Sequence, residues 1–188
     1  TGKGATLGVL IKNAEALETL EKVDVLVVDK TGTLTEGKPK LVRLETEADF
    51  DVDEMLTLVA SLERASEHPL AEAIVKEAEQ QDIELLPVDA FESITGKGVV
   101  GVVDNHEVVL GNIQLMQTLD IEATALSEKA EAARAEGQTV MLIAVDGKAA
   151  GLIGVADPIK ESTQEGIRQL HKEGVQLVML TGDSHSTA

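Results

Sequence analysis

The stretch Val23-Asp24-Val25-Leu26-Val27-Val28-Asp29-Lys30-Thr31-Gly32-Thr33-Leu34-Thr35 decides how the rest of the chain is read. Its first half is a β-branched apolar run without alternation, the composition of a strand buried on both faces of a parallel sheet. The run stops at a carboxylate, and a loop rich in Thr and Gly follows. A carboxylate at the end of such a strand can attack a phosphoryl group and form an acyl phosphate. Phosphoryl transfer is mostly positioning and charge stabilisation, so the neighbours of Asp29 must supply backbone donors, cationic contacts and room for Mg2+. Gly32 lets the backbone turn close to a phosphate, and Thr31 and Thr33 add small polar groups. An isolated Asp after a strand is more often a capped turn; the whole string from Asp29 to Thr35 is what sets this one apart.

Working outward, Thr1 to Val9 is rich in glycine and small residues and reads as a connector, and Asn13 to Leu20 reads as a helix with Asn13 as its N-cap. Far downstream the same grammar returns. Asp157-Pro158 opens a turn, Ser162 to Glu173 is helical, Gly174 stops it, and Val175 to Leu180 repeats the buried-strand composition before a second Thr-Gly-Asp loop at Thr181-Gly182-Asp183. Between about Gly37 and Gly154 the pattern differs. Helical spacing covers Asp53 to Arg64, Leu70 to Gln80, Ile113 to Leu119 and Ala123 to Glu136. Strand-like runs cover Leu85 to Phe91, Val99 to Val103 and Val108 to Leu110, and Asp104-Asn105 and Asp146-Gly147 are hairpin signals. The simplest organisation is an α/β domain, residues 1–36 and 155–188, interrupted by an inserted α+β domain, 37–154, on an antiparallel sheet. Its two strands then lie side by side, and the loops at their C-terminal ends converge where open α/β sheets bind ligands.

Composition closes off other classes. A formal net charge of −18 over 188 residues argues against nucleic acid or an anionic membrane surface, both of which need clustered cations. With two Phe and no Tyr or Trp there is no platform for stacking single-stranded bases. The absence of cysteine excludes disulfides and thiolate chemistry. Apolar runs are too short for a membrane helix, which needs roughly 18 or more consecutive apolar residues. Met55, Met116, Met141 and Met179 read as core filler, and His106, His171 and His185 are too scattered to suggest a ligand cluster. Pro69 at the start of a helix fixes the loop before it and leaves Glu67 and His68 exposed. Asn112 reads as a helix N-cap, and Asp157 either caps a helix or touches a ligand.

The Asp29–Thr35 string matches the phosphorylation signature of P-type ATPases without a mismatch. The chain resembles their heavy-metal-transporting class, the copper pumps most closely, from Gly8-Val9-Leu10-Ile11-Lys12 onward. The resemblance implies a haloacid-dehalogenase-like, Rossmann-like phosphorylation domain, truncated, with the nucleotide-binding domain inserted after the Asp29 loop. It implies that Asp29 becomes an aspartyl phosphate beside Lys30 and Thr31, and that Asp29 and Thr31 are the part present here of an Mg2+ site. Ser66-Glu67-His68-Pro69-Leu70 is similar to the string that contacts the adenine end of ATP, with Glu67 and His68 the residues carried over. Gly96-Lys97-Gly98-Val99 is similar to the glycine pair lining the nucleotide cleft, and Gly111-Asn112 to a further pair in that pocket. Thr181-Gly182-Asp183 resembles the loop that meets the phosphoryl group from the other side; Thr181 would donate to it and Gly182 would allow close approach. Where the family continues with Asn, this chain has Ser184. Asp157-Pro158-Ile159-Lys160 resembles the hinge back into the phosphorylation domain.

The implied function is the ATP-binding, phosphoryl-accepting cytosolic part of a pump in the cell membrane. Copper(I) is the first choice of cargo, followed by zinc or cadmium. ATP or ADP is its small-molecule partner and the membrane domain of the same polypeptide its macromolecular one, while the stretch alone is expected to be a soluble monomer. It stops before the family's later lysine and Gly-Asp-Gly-x-Asn-Asp loop, so the expectation is nucleotide binding with little or no turnover. Two other readings stand beside this one. A free-standing phosphatase of the same fold would place a second Asp two residues after the nucleophile, where this chain has Thr31. A nucleotide-binding module without catalysis is the other.

Overall fold

A computed structural model of the chain describes residues 15, 18, 19 and 21–181. The expected helix at Asn13 to Leu20 falls largely outside them, as do Gly182, Asp183 and Ser184. In chain order the elements are β1 (Val25–Asp29), β2 (Lys40–Thr46), α1 (Val52–Glu63), α2 (Pro69–Gln80), β3 (Val88–Ile94), β4 (Gly98–Val103) and β5 (His106–Gly111). Then follow α3 (Ile113–Thr118), α4 (Thr124–Ala135), β6 (Thr139–Val145), β7 (Lys148–Ala156), α5 (Glu161–Lys172) and β8 (Gln176–Leu180). They fall into two compact units. One joins the residues up to Thr35 with Ile159–Thr181, and the other is Glu36–Pro158.

In the first unit β1 and β8 pair in parallel, Val25 opposite Gln176 through Asp29 opposite Leu180. Helix α5 connects back to β8 and packs on it. The expectation of strands buried on both faces is corrected here. Val25 is 48% exposed and Val27 53%, and Val178 and Leu180 are exposed too. A two-stranded pair with a single helix against it leaves the second face uncovered among the described residues.

The second unit is a six-stranded antiparallel sheet in the order β2-β7-β6-β5-β4-β3. Its side chains alternate between two cores. Leu110, Ile143 and Ile153 join α1 and α2 on one face. Val109, Leu142 and Leu152 join α3 and α4 on the other. The period of two along each strand thus feeds helices on both faces, and the inserted domain is α+β on an antiparallel sheet. At Asp146-Gly147 φ is 50° and 75°, positive at both central positions as a type I′ hairpin requires. One strand boundary differs from expectation, and one strand was not expected. Residues 85–87 stay outside β3 because the Leu86 N–H donates to Ser61 Oγ (2.9 Å) and its carbonyl accepts from Arg64 Nη2 (2.9 Å), while Pro87 has no N–H to give a ladder. The edge strand β2 went unread in the sequence, since Lys-Leu-Val-Arg-Leu-Glu-Thr carries three charged residues in seven.

Candidate functional site

The first unit places the Asp29 carboxylate at a sheet edge. Asp29 is the last residue of β1, exposed, and level with Leu180, so the loop it leads and the residue after β8, Thr181, leave the same edge. Thr31 has φ −74°, ψ 125° and Gly32 φ 73°, ψ −13°, which are the two central positions of a type II turn; the second demands a positive φ and hence glycine. The Thr31 N–H donates to Asp29 Oδ1 at 3.2 Å, restraining rotation of the carboxylate. The Gly32 N–H donates to Thr35 Oγ1 (3.1 Å), and that hydroxyl donates to the Lys30 carbonyl (3.2 Å), which also accepts the Thr35 N–H. Thr35 is 1% exposed and acts as the internal post of the loop.

The same loop is held from the distant segment. Lys160 donates its N–H to the Leu34 carbonyl at 3.0 Å, and Thr163 Oγ1 donates to the same carbonyl at 2.7 Å. Lys160 Nζ donates to the Gly32 carbonyl at 2.6 Å. Thr163 is a residue that sequence reasoning did not single out; its only signal is its place in the first turn of a helix following Pro158. Of the second loop, Thr181 is described, and Gly182 and Asp183 are outside the described residues.

In the second unit the glycines form one assembly. Gly98 begins β4 and pairs with Gly111 at the end of β5. A Cβ on Gly98, whose φ is 149°, would lie 2.2 Å from the Leu110 carbonyl oxygen, and one on Gly111 would lie 2.4 Å from that of Lys97. The two strands therefore approach where neither can carry a side chain. Gly96, φ 72°, sits in the turn before them with nothing within 4 Å of its Cβ position. Asn112 locks this turn to the next helix. Its Oδ1 accepts the Leu115 N–H (3.0 Å) as the N-cap of α3, and its Nδ2 donates to the Gly96 carbonyl (2.9 Å). Its own N–H donates to the Lys97 carbonyl. The Lys97 ammonium reaches Thr118 Oγ1 at 3.0 Å.

The His68 loop leads into α2 with Pro69 at its first turn, and His68 is the N-cap: Nδ1 accepts the Leu70 N–H at 3.2 Å. With Nδ1 so used, a neutral imidazole carries its proton on Nε2. Glu67 and His68 are both exposed. Five residues earlier, Glu63 is 3% exposed and its Oε2 has no hydrogen-bond partner. Burial pushes the Glu63 carboxyl above the usual carboxylate range, opposed by a hydrogen bond with Ser66 and by the charge of His68. Glu63 escaped the sequence reading because glutamate on a helix is usually solvated. Its spacing was the available signal, since Leu56, Val59, Ala60 and Glu63 form a continuous i, i+3, i+4, i+7 stripe on the buried face. The end of α1 lies on β4, where Leu62 Cδ1 would stand 2.8 Å from a Cβ on Gly101. Gly101 is three residues along the strand from Gly98, about 10 Å at the usual rise. No hydrogen bond among the described residues ties the His68 loop to the glycine assembly.

Among the described residues no group of three or more His, Cys, Asp or Glu could hold a metal ion by itself. Mg2+ commonly keeps several waters and takes one or two carboxylates plus substrate phosphates. The exposed Asp29 carboxylate, with Thr31 next in the turn, fits that partial donor set.

The haloacid dehalogenase-like hydrolase family matches residues 23–188. The chain is 58% identical over 187 residues to a copper-exporting P-type ATPase of Legionella pneumophila, covering 100% of this chain and 25% of that protein. It is 53% identical over 188 residues to a copper-transporting P-type ATPase of Rhizobium leguminosarum, covering 22% of it. The chain thus spans about a quarter of the length of these relatives. Among solved structures, a zinc-transporting PIB-type ATPase superposes with a TM-score of 0.84 at 31% identity, over 95% of this chain and 29% of that one.

Proposed function

We propose, for a chain that belongs to the haloacid dehalogenase-like hydrolases and within them to the cytosolic catalytic part of the heavy-metal P-type ATPases, that it binds ATP and accepts its γ-phosphoryl group on Asp29 to drive export of copper(I). The observation that carries this reading is the register of β1 and β8, which puts the Asp29 loop and Thr181 at one sheet edge. An oxygen of the Asp29 carboxylate attacks the γ-phosphorus. The new O–P bond forms as the bond from that phosphorus to the β–γ bridging oxygen breaks, and the electron pair leaves with ADP. Thr31 and Gly32 shape the turn behind the nucleophile, Lys30 and Thr181 flank it, and the roles of Gly182 and Asp183 rest on the sequence resemblance alone. Asp29 and Thr31 would hold Mg2+, which when bound would supply neutralisation of the phosphate charge.

Nucleotide recognition falls to the second unit. Gly96 offers an open backbone, while Gly98, Gly111 and Asn112 set its position. His68 offers an Nε2 donor, Glu63 an unpartnered acceptor, and Glu67 lies exposed beside them. Thr31 brings no carboxyl to activate water, so the aspartyl phosphate outlives that of a phosphatase, as coupling to a conformational change requires. No helix among the described residues is long and apolar enough to cross a membrane. The chain spans about a quarter of its relatives' length, and this reading assigns the copper path to the remainder of such a polypeptide, with this segment at its cytosolic face.

The test is incorporation of phosphate from γ-labelled ATP, released by hydroxylamine as acyl phosphates are. D29N should abolish it. Label that persists in D29N, or a generic phosphatase substrate hydrolysed as fast as ATP, would overturn the assignment.

A further inference from the structure

The acceptor loop is held on both sides of one residue, Gly32. Within the loop, the Gly32 N–H is taken by Thr35 Oγ1. The Gly32 carbonyl is taken by the ammonium of Lys160, 128 positions away, at 2.6 Å. Gly32 is the residue whose positive φ makes the turn that follows Asp29, so a contact on its carbonyl acts on the conformation that aims the carboxylate. The contact is also ionic. An ammonium–carbonyl bond is a charge-assisted hydrogen bond, stronger than one between neutral groups. The distant segment already has two neutral grips on this loop, the Lys160 N–H and the Thr163 hydroxyl, and both fall on Leu34. The lysine side chain adds what those two do not: a hold on Gly32 and a positive charge three residues from the nucleophile. Nothing in holding the fold requires a cation here, since the backbone bonds and the Thr35–Ile159 bridge already join the segments.

We propose that Lys160 is the positioning residue of phosphoryl transfer: it sets the Gly32 turn so that Asp29 is aimed at the phosphorus, and it keeps a cation in the loop that receives a phosphoryl group. This rests on Asp29 being the acceptor. Because the grip is on the acceptor turn and not on the nucleotide-binding unit, its loss is felt in the transfer step and spares ATP affinity.

The experiment measures the rate of hydroxylamine-labile phosphoenzyme formation at saturating labelled ATP, with ATP affinity alongside, in the polypeptide at its natural length. The chains compared are wild type, D29N, K160M and K160R. A misaligned acceptor is expected to slow K160M about a hundredfold while its ATP affinity stays at the wild-type value. K160R keeps donor and charge and should recover most of the rate. Amide exchange at Gly32 should speed up in K160M and return toward wild type in K160R, a readout that does not depend on activity. K160M phosphorylating at the wild-type rate, or a folded K160R as slow as K160M, would overturn the role of Lys160 and leave Asp29 untouched. Labelling that survives D29N would instead overturn the reading beneath it. Should K160M fail to fold, K160Q takes its place, and a folded K160Q phosphorylating at the wild-type rate would overturn the role of Lys160.

Discussion

Gly96 and Gly98 belong to one short motif, yet the structure gives them different work, and alanine at each should separate fold from ligand. At Gly98 a methyl group would meet the Leu110 carbonyl oxygen at 2.2 Å and the Gly111 Cα at 2.5 Å. Both are backbone atoms, so no rotamer change relieves the clash; β4 and β5 must move apart by about 0.8 Å to reach the 3.0 Å that real Cβ atoms keep. Overpacking of this kind costs about 1–3 kcal/mol, and a non-glycine residue at φ 149° adds about 1–3 kcal/mol of backbone strain. Together G98A should lose about 2–6 kcal/mol, a large part of the roughly 5–15 kcal/mol typical of a domain. G96A meets open space and pays only for a left-handed φ, about 1–2 kcal/mol. Urea unfolding followed by far-UV circular dichroism reads both, the chain having no Trp or Tyr for fluorescence. ATP titration of folded G96A should show a Kd raised about tenfold, or 1.4 kcal/mol, because its methyl group occupies the open side of the turn. Equal stabilities for the two variants would refute the reasoning, and so would a G98A chain within about 0.5 kcal/mol of wild type.

Two further predictions concern histidines. H68A removes the N-cap of α2 and should cost about 1 kcal/mol, whereas H68N restores a good cap without the Nε2 donor; unfolding should separate the two, and ATP titration should find both weakened. His106 Nδ1 lies 2.7 Å from Asp146 Oδ2; the hydrogen bond and Asp146 charge, with Glu54 and Asp104, hold the imidazole above its ordinary pKa, while His106 and the Glu107 N–H, with Lys148, hold Asp146 below its own. The raised histidine contributes stability that is full below its unfolded pKa, about 6.5, and disappears as pH rises through the folded value. The lowered Asp146 contributes above about 3.9 and loses its share in acid. Melting temperatures of wild type should therefore fall relative to H106N as pH goes from 6 toward 8; parallel curves would refute the pairing.

Much of this could be read from the chain because local signals and tertiary structure agreed. The Asp29–Thr35 string, the Asp146-Gly147 turn and Pro69 at a helix start each have a local physical cause. Periodicity likewise found the four helices of the second unit within a residue or two. What could not be read depended on partners distant in sequence. The burial of β1 was overestimated because a β-branched run records what a strand can pack against, not what covers it. Gly98 and Gly111 were read as ligand-facing, and their mutual approach appears only once β4 and β5 pair. Asn112 was read as a cap and is one, but its second bond, to Gly96, needed the turn in place. Lys160 looked like any lysine after a proline until the fold brought it to Gly32.

In the proposed nucleotide site, base selectivity follows from which polar groups remain unengaged. Asn112 spends both ends of its amide internally, and His68 spends Nδ1 on its own helix. The unpartnered Oε2 of Glu63 is a stronger acceptor when the carboxyl group is ionised. Adenine presents an amino group to such an acceptor, whereas guanine presents a carbonyl oxygen at that position and would set two acceptors against each other. A buried mismatch of that sort separates ligands by about 10⁴-fold at its strongest, and the partial exposure of the loop makes about a hundredfold the expectation for ATP over GTP. The titration of Glu63 then acts in opposite directions on fold and ligand. Its pKa is raised by burial, so the folded state holds the proton more tightly than the unfolded one. Stability is full below the unfolded value and falls as pH rises through the folded value. Over the same interval ATP affinity should rise, because the ionised carboxylate accepts more strongly and no longer presents an O–H. E63Q should flatten both curves and erase most of the preference for ATP, since an amide can turn its NH₂ toward guanine. Calorimetric titrations with ATP and GTP from pH 5 to 8 decide it: equal affinities in wild type, or a preference that survives E63Q, would remove Glu63 from the site.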